Sequence, residues 1–130
     1  MVTKAEFVAL SDFRCQIARF QRFSVAASRA GGLTQTQYLL LLHVAGHPER
    51  EWATVGELAA RLQASPHGTA ALVQRCVALR LVEKRRSAED ARRVEVHLTD
   101  KGRRRVDRVA QQHRDELQNL KRVFRVVNVN

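Results

Sequence analysis

TVGELAARLQASPHGTAALVQRCVALRLVEKRRSAEDARRVEVHLTD, residues 54–100, is the stretch that decides the fold. Thr54 and Glu57 have capping-box spacing, in which hydroxyl and carboxylate each satisfy an orphan N–H at a helix start. Leu58, Ala59 and Leu62 form a short apolar face, and the helix closes by Gln63 or Ala64. Ser65-Pro66 opens the next helix, an N-cap hydroxyl followed by proline at the first helical position. Leu72, Val73, Cys76 and Leu79 make its buried side, with Thr69 also inward; His67, Ala70, Ala71 and Gln74 face the other way. Helices this short do not persist alone. Joined by so tight a turn, they read as a helix-turn-helix. LVEKRR and RRVEVHL are strand-like and flank the polar loop SAEDA. In the second, Val94, Val96 and Leu98 alternate with Arg93, Glu95 and His97, the period of a half-buried strand. A basic hairpin directly after the second helix is a wing.

Outward from this unit the chain is helical. Residues 4 to about 29 form an amphipathic helix whose seam is Leu10, Phe13, Ile17, Phe20, Ser24 and Ala27, stopped by Gly31-Gly32. Thr34 caps a second helix with Gln37 at the capping-box position. Tyr38 to Val44 are almost wholly apolar, so this helix is the central strut, ended by Gly46 and Pro48. Glu51-Trp52-Ala53 reads as a short third strand of the wing sheet. Thr99 caps the last helix, where Val106, Ala110, His113, Leu117, Leu120, Phe124 and Val127 recur at heptad spacing. Such a helix spans about 40 Å, longer than a winged helix needs. Two long flanking helices therefore point to a subunit interface built from Leu10, Phe13, Ile17, Phe20, Val106, Ala110, His113, Leu117, Leu120 and Phe124. His113 is the polar intrusion in that seam, placed to set register across a dimer or to make the interface sensitive to acid.

With 130 residues the chain is one domain, and its net charge of +10 calls for a polyanionic partner. Residues 84–108 hold ten Lys or Arg against five acids, so the excess sits at the wing and the helix after it. Arginine predominates, which suits bidentate phosphate contacts. No apolar run reaches the ~18 residues of a membrane span, and a protein without a signal peptide is expected. Two distant cysteines give neither a disulfide framework nor a zinc pattern, so a reducing cytoplasm is the default location. His43 and His47 stand i, i+4 without a carboxylate or cysteine at tight spacing, and read as capping or half-buried histidines rather than metal ligands. Catalytic constellations, phosphate-cradling glycine loops and paired carboxylates are absent from the pattern. A non-enzyme without cofactor or metal is expected.

The ordered set LTQTQYLLLLHV, ELAARL…ALVQRC…LRLVEKR, EDARR and LTDKG resembles the MarR (multiple-antibiotic-resistance regulator) family of bacterial winged-helix regulators over residues 33 to 103. The resemblance implies a mainly α fold with a small antiparallel β-wing. Residues 33–99 would be the winged helix-turn-helix lobe, and 4–30 and 100–127 the dimerisation helices, of a single domain. It implies a homodimer bound to a pseudo-palindromic duplex DNA operator, without membrane association. It further implies a small effector between the helices and the DNA lobes, for which Phe13, Phe20, Tyr38 and Trp52 are the lining on offer. Within EDARR, the match implies that Arg92 enters the minor groove while Asp90 orients it. The full candidate DNA surface is Ser65, Pro66, His67, Ala70, Ala71, Gln74, Arg75, Arg85, Arg86, Asp90, Arg92 and Arg93, with Arg85, Arg86 and Arg93 as phosphate contacts. Ala70 and Ala71 offer only apolar contact with thymine methyls, and Gln74 can reach an adenine edge or a phosphate. Two alternatives stand beside the repressor reading. One is a redox-sensing regulator working through Cys15, with Arg19 four residues on and Asp12 three back. The other is a winged-helix protein–protein module. The family usually carries a further helix beyond the point where this chain ends in VVNVN.

Overall fold

The computed structural model describes the backbone of residues 1–123 and the side chains as far as Lys121; Phe124 and Val127 of the expected seam lie outside the described residues. The elements follow as α1 (Lys4–Ala30), α2 (Gln35–Ala45), β1 (Trp52–Thr54), α3 (Val55–Leu62), α4 (Pro66–Ala78), β2 (Val82–Arg86), β3 (Val94–Leu98) and α5 (Asp100–Val123). The mainly helical fold with a small antiparallel wing sheet is as expected; among the described residues that sheet has three strands, in the order β1-β3-β2.

Capping side chains set most boundaries. Thr34 with Gln37 and Thr54 with Glu57 close reciprocal capping boxes at α2 and α3, and the Ser65 hydroxyl accepts the Gly68 N–H at 3.0 Å to start α4. A third box, Thr3 with Glu6, starts α1 and was missed by the sequence reading. Gln63 ends α3 in the left-handed region at φ 53°, the tight turn of the helix-turn-helix.

Leu40, Leu41 and Val44 of α2 are fully buried, and Tyr38 nearly so, which makes α2 the strut. Around it close Leu58 from α3, Val73 and Cys76 from α4, Val82 and Val96 from the sheet, and Val106 and Val109 from α5. Thr69 is inward as expected, its hydroxyl donating to the Ser65 carbonyl at 2.9 Å. Leu79 departs from expectation: as the C-cap of α4 it is 46% exposed, since the helical face it would have shared ends one residue earlier. Val94 departs likewise, exposed because the wing tip extends past the core.

The expected seam of α5 divides. Val106 and His113 are buried within the chain, because the helix rests on α1 and α2. Leu117 is exposed, and Leu120 half-buried. His113 stacks on Tyr38, with ring centroids 4.7 Å apart, and meets Phe20 and Phe23 edge-on. Its Nδ1 lies 2.9 Å from the Val109 carbonyl, which can only accept, so Nδ1 carries a proton. Its Nε2 lies 2.7 Å from the Ser24 hydroxyl, which in turn reaches the Gln35 amide. A neutral ring accepts from Ser24 while Gln35 donates to the hydroxyl; a charged ring donates to Ser24, whose proton then turns to the Gln35 oxygen. One polar chain thus ties α5, α1 and α2 in either state.

Glu57 anchors the segment before β1. Its carboxylate receives both guanidinium arms of Arg50, at 2.9 and 3.1 Å, and the His47 ring at 3.0 Å, while Arg50 also lies 4.0 Å over the Trp52 ring. Burial pushes this carboxyl up, but hydrogen bonds from Thr54, Arg50 and His47 outweigh it and hold it at about 2. A carboxyl depressed in the folded state stabilises fully above its ordinary value of 4.5 and loses that contribution as pH falls through about 2. Glu57→Gln is therefore expected to unfold more readily than the parent above pH 4.5, with the difference closing towards pH 2. Urea titrations at several pH values check this, and a constant difference would reject it.

Candidate nucleic-acid interface

Helix α4 and the β2–β3 hairpin stand beside one another, with Val73, Cys76 and Val82 buried in the core they share. On α4, Ser65, Pro66, His67, Ala70, Ala71, Gln74 and Arg75 are all exposed. His67, Ala71 and Gln74 share the face opposite Val73 and Cys76 at 100° per residue, while Arg75 lies towards α2, lining a groove with Thr36 and Leu39. This is a smooth, methyl-rich face with few polar readers, of a width that a major groove admits.

The hairpin sorts its cations by strand period. Lys84 pairs in register with buried Val96 and Arg86 with Val94, so both share the α4 side of the sheet with Val82. Arg85 points to the other side, with Glu83, to which its guanidinium is paired, and opposite Glu95. Arg85 and Arg86, both expected as phosphate contacts, lie on opposite faces of the sheet, and Arg85 has Glu83 as an acidic partner. Lys84, not singled out in the sequence, donates from Nζ to Gln74 Oε1 at 2.8 Å and joins strand to helix. Strand alternation from Val82 was the signal that could have found it.

The wing tip is a folded turn. Ser87 Oγ accepts the N–H groups of Glu89 and Asp90, and the Ser87 N–H and Arg93 carbonyl pair at 3.0 Å. Asp90 Oδ1 accepts the Arg92 backbone N–H at 3.0 Å and lies 3.8 Å from Arg92 Nε. The Arg92 side chain, 96% exposed, therefore projects from a turn organised by Asp90. Arg93 is exposed beside it.

Other candidates fall elsewhere. Cys15 is exposed on α1; Cys76 is buried in the core, where burial pushes its thiol up to about 11. His47 is engaged with Glu57, and burial, reinforced by Arg61, lowers His43. Among the described residues no cluster of three or more His, Cys, Asp or Glu could hold a metal, and no helix is long and apolar enough to cross a membrane. Phe20 and Tyr38 line one cleft of about 350 Å³ with Leu39, Leu42, His113 and Leu117. Trp52, grouped with them in the sequence, instead lies on the outer face of the wing sheet under Arg50.

Residues 31–93 match the sequence profile of the MarR family. No curated protein matches the chain. Among solved structures, a MarR family transcription regulator is similar at 21% identity and a TM-score of 0.77, over 92% of this chain and 77% of its own. AbsC, a MarR family transcriptional regulator from Streptomyces coelicolor, is similar at 20% identity and a TM-score of 0.76, over 95% of this chain and 81% of its own. A mutant of S. aureus MepR bound to an oligodeoxyribonucleotide is similar at 18% identity and a TM-score of 0.69, over 96% of this chain and 86% of its own. The MarR family match thus spans the helix-turn-helix, β2 and the wing turn, and the chain as a whole shares the winged-helix fold of these regulators.

Proposed function

We propose that the protein acts as a homodimeric repressor on a pseudo-palindromic duplex, by binding and not by catalysis. Residues 33–99 form the DNA lobe, and α1 and α5 the dimerisation helices. The observation that carries this reading is the pairing of an exposed, small-residue α4 face with a basic hairpin whose tip presents Arg92. The helix face suits a major groove, and the projecting guanidinium suits the negative potential of an adjacent narrow minor groove. Arg86, Arg93 and Lys84 add backbone charge. The second copy is supported by α1 and α5, which leave an apolar groove of about 450 Å³ along Ile17, Phe20, Leu117 and Leu120, with Leu10 exposed on the same face of α1. Contiguous apolar surface of this kind marks an interface.

An effector fits the cleft of Phe20, Tyr38, His113 and Leu117, which lies where α5, α1 and the DNA lobe meet. A ligand there weakens DNA binding only if it prefers the non-binding arrangement of the two lobes. A salt titration on duplex DNA tests the core of the proposal. Binding is expected to fall steeply with salt, while specific sites keep their advantage over competitor. Sedimentation of the free protein is expected to give twice the chain mass. A monomer that binds every duplex equally would sink the reading.

A further inference from the structure

We propose that Lys84 sets the base preference of the recognition helix by fixing the amide of Gln74, so that the pair reads the acceptor edge of guanine. The inference rests on the DNA-binding reading above. An ammonium has three donors and no acceptor, so only the carbonyl oxygen of Gln74 can face Lys84 at 2.8 Å. The –NH2 group of the amide then points away from Lys84.

An unconstrained glutamine reads adenine by giving a hydrogen bond to N7 and taking one from the N6 amino group. Here the oxygen that would take it is already engaged, and a positive charge lies beside it. The adenine amino group, itself a donor, meets that charge unfavourably. Guanine offers two acceptors on the same edge, N7 and O6, and these match the donors of the amide and the remaining ammonium protons. The flanking side chains Ala70 and Ala71 bring no polar group of their own, so the pair is the main polar reader in the middle of the exposed helix face. The placement follows from strand geometry: Lys84 shares the α4 side of the sheet because its register partner is buried Val96.

The experiment is selection from a randomised duplex library with the full-length protein, Lys84→Met and Arg86→Met. Arg86→Met removes a cation from the same side of the hairpin without touching Gln74. The wild type is expected to enrich guanine at one position of each half-site, and Lys84→Met to shift that position towards adenine. Arg86→Met is expected to bind more weakly with its preference unchanged. Replacing the selected guanine by 7-deazaguanine is expected to weaken wild-type binding about tenfold and Lys84→Met far less. A preserved consensus in which Lys84→Met keeps the wild-type base at every position overturns the assignment alone. A wild type that selects no sequence overturns the regulator reading with it.

Discussion

Replacing Gly102 by alanine is expected to destabilise the protein by about 1–3 kcal/mol, the usual range for forcing an extra carbon into filled space. The sign is what makes the prediction sharp. Gly102 lies in the first turn of α5, and a helical glycine changed to alanine ordinarily gains roughly 0.5–1 kcal/mol. Here a Cβ would collide with the carbonyl oxygen of Leu81 and stand 2.9 Å from its carbon and 3.3 Å from its Cα. Backbone cannot turn aside as a side chain does, so α5 must lift off the root of β2. Urea unfolding of the variant reads the loss, and weaker DNA binding should accompany it. A variant more stable than the parent would mean that α5 does not start against Leu81.

Arg92→Ala is expected to lower affinity for a specific duplex by about tenfold or more and to leave the oligomeric state of the protein unchanged. The side chain is 96% exposed and makes only a 3.8 Å contact with Asp90, so its removal disturbs no packing. The lost affinity therefore belongs to the complex. Alternative sites with wide minor grooves should lose less than narrow, A·T-rich ones, because the groove's potential is what the guanidinium meets. Competition binding on the two kinds of duplex measures this; equal affinity of variant and parent would remove Arg92 from the interface.

Local rules made much of this molecule legible in its sequence. Capping pairs at Thr34, Thr54 and Ser65 set three helix starts within a residue, and alternation in RRVEVHL placed Val96 in the core. The third strand at Trp52 was legible too, paired with His97 on β3. Heptad spacing in α5 was a poorer guide. It marks a face that packs without saying on what, and Val106 and His113 pack within the chain. The wing cations needed strand register, since Lys84, Arg85 and Arg86 are alike in charge and differ only in side. Contacts such as Gly102 on Leu81 or Lys84 on Gln74 depend on how separate elements meet, and no periodicity reports that.

Helix α5 does not merely follow the wing; its first turn is riveted to the tail of the helix that would lie on DNA. The Thr99 hydroxyl donates to the Arg80 carbonyl at 2.6 Å, the Thr99 N–H to Leu81 at 3.1 Å, and Lys101 Nζ to the Leu79 carbonyl at 2.9 Å. A shaft of 24 residues is about 36 Å long, so a tilt of roughly 5° at this root sweeps its far end through about 3 Å. Run backwards, the lever has the opposite gearing: a generous push at the distal end arrives as a small, stiff rotation of the reading head.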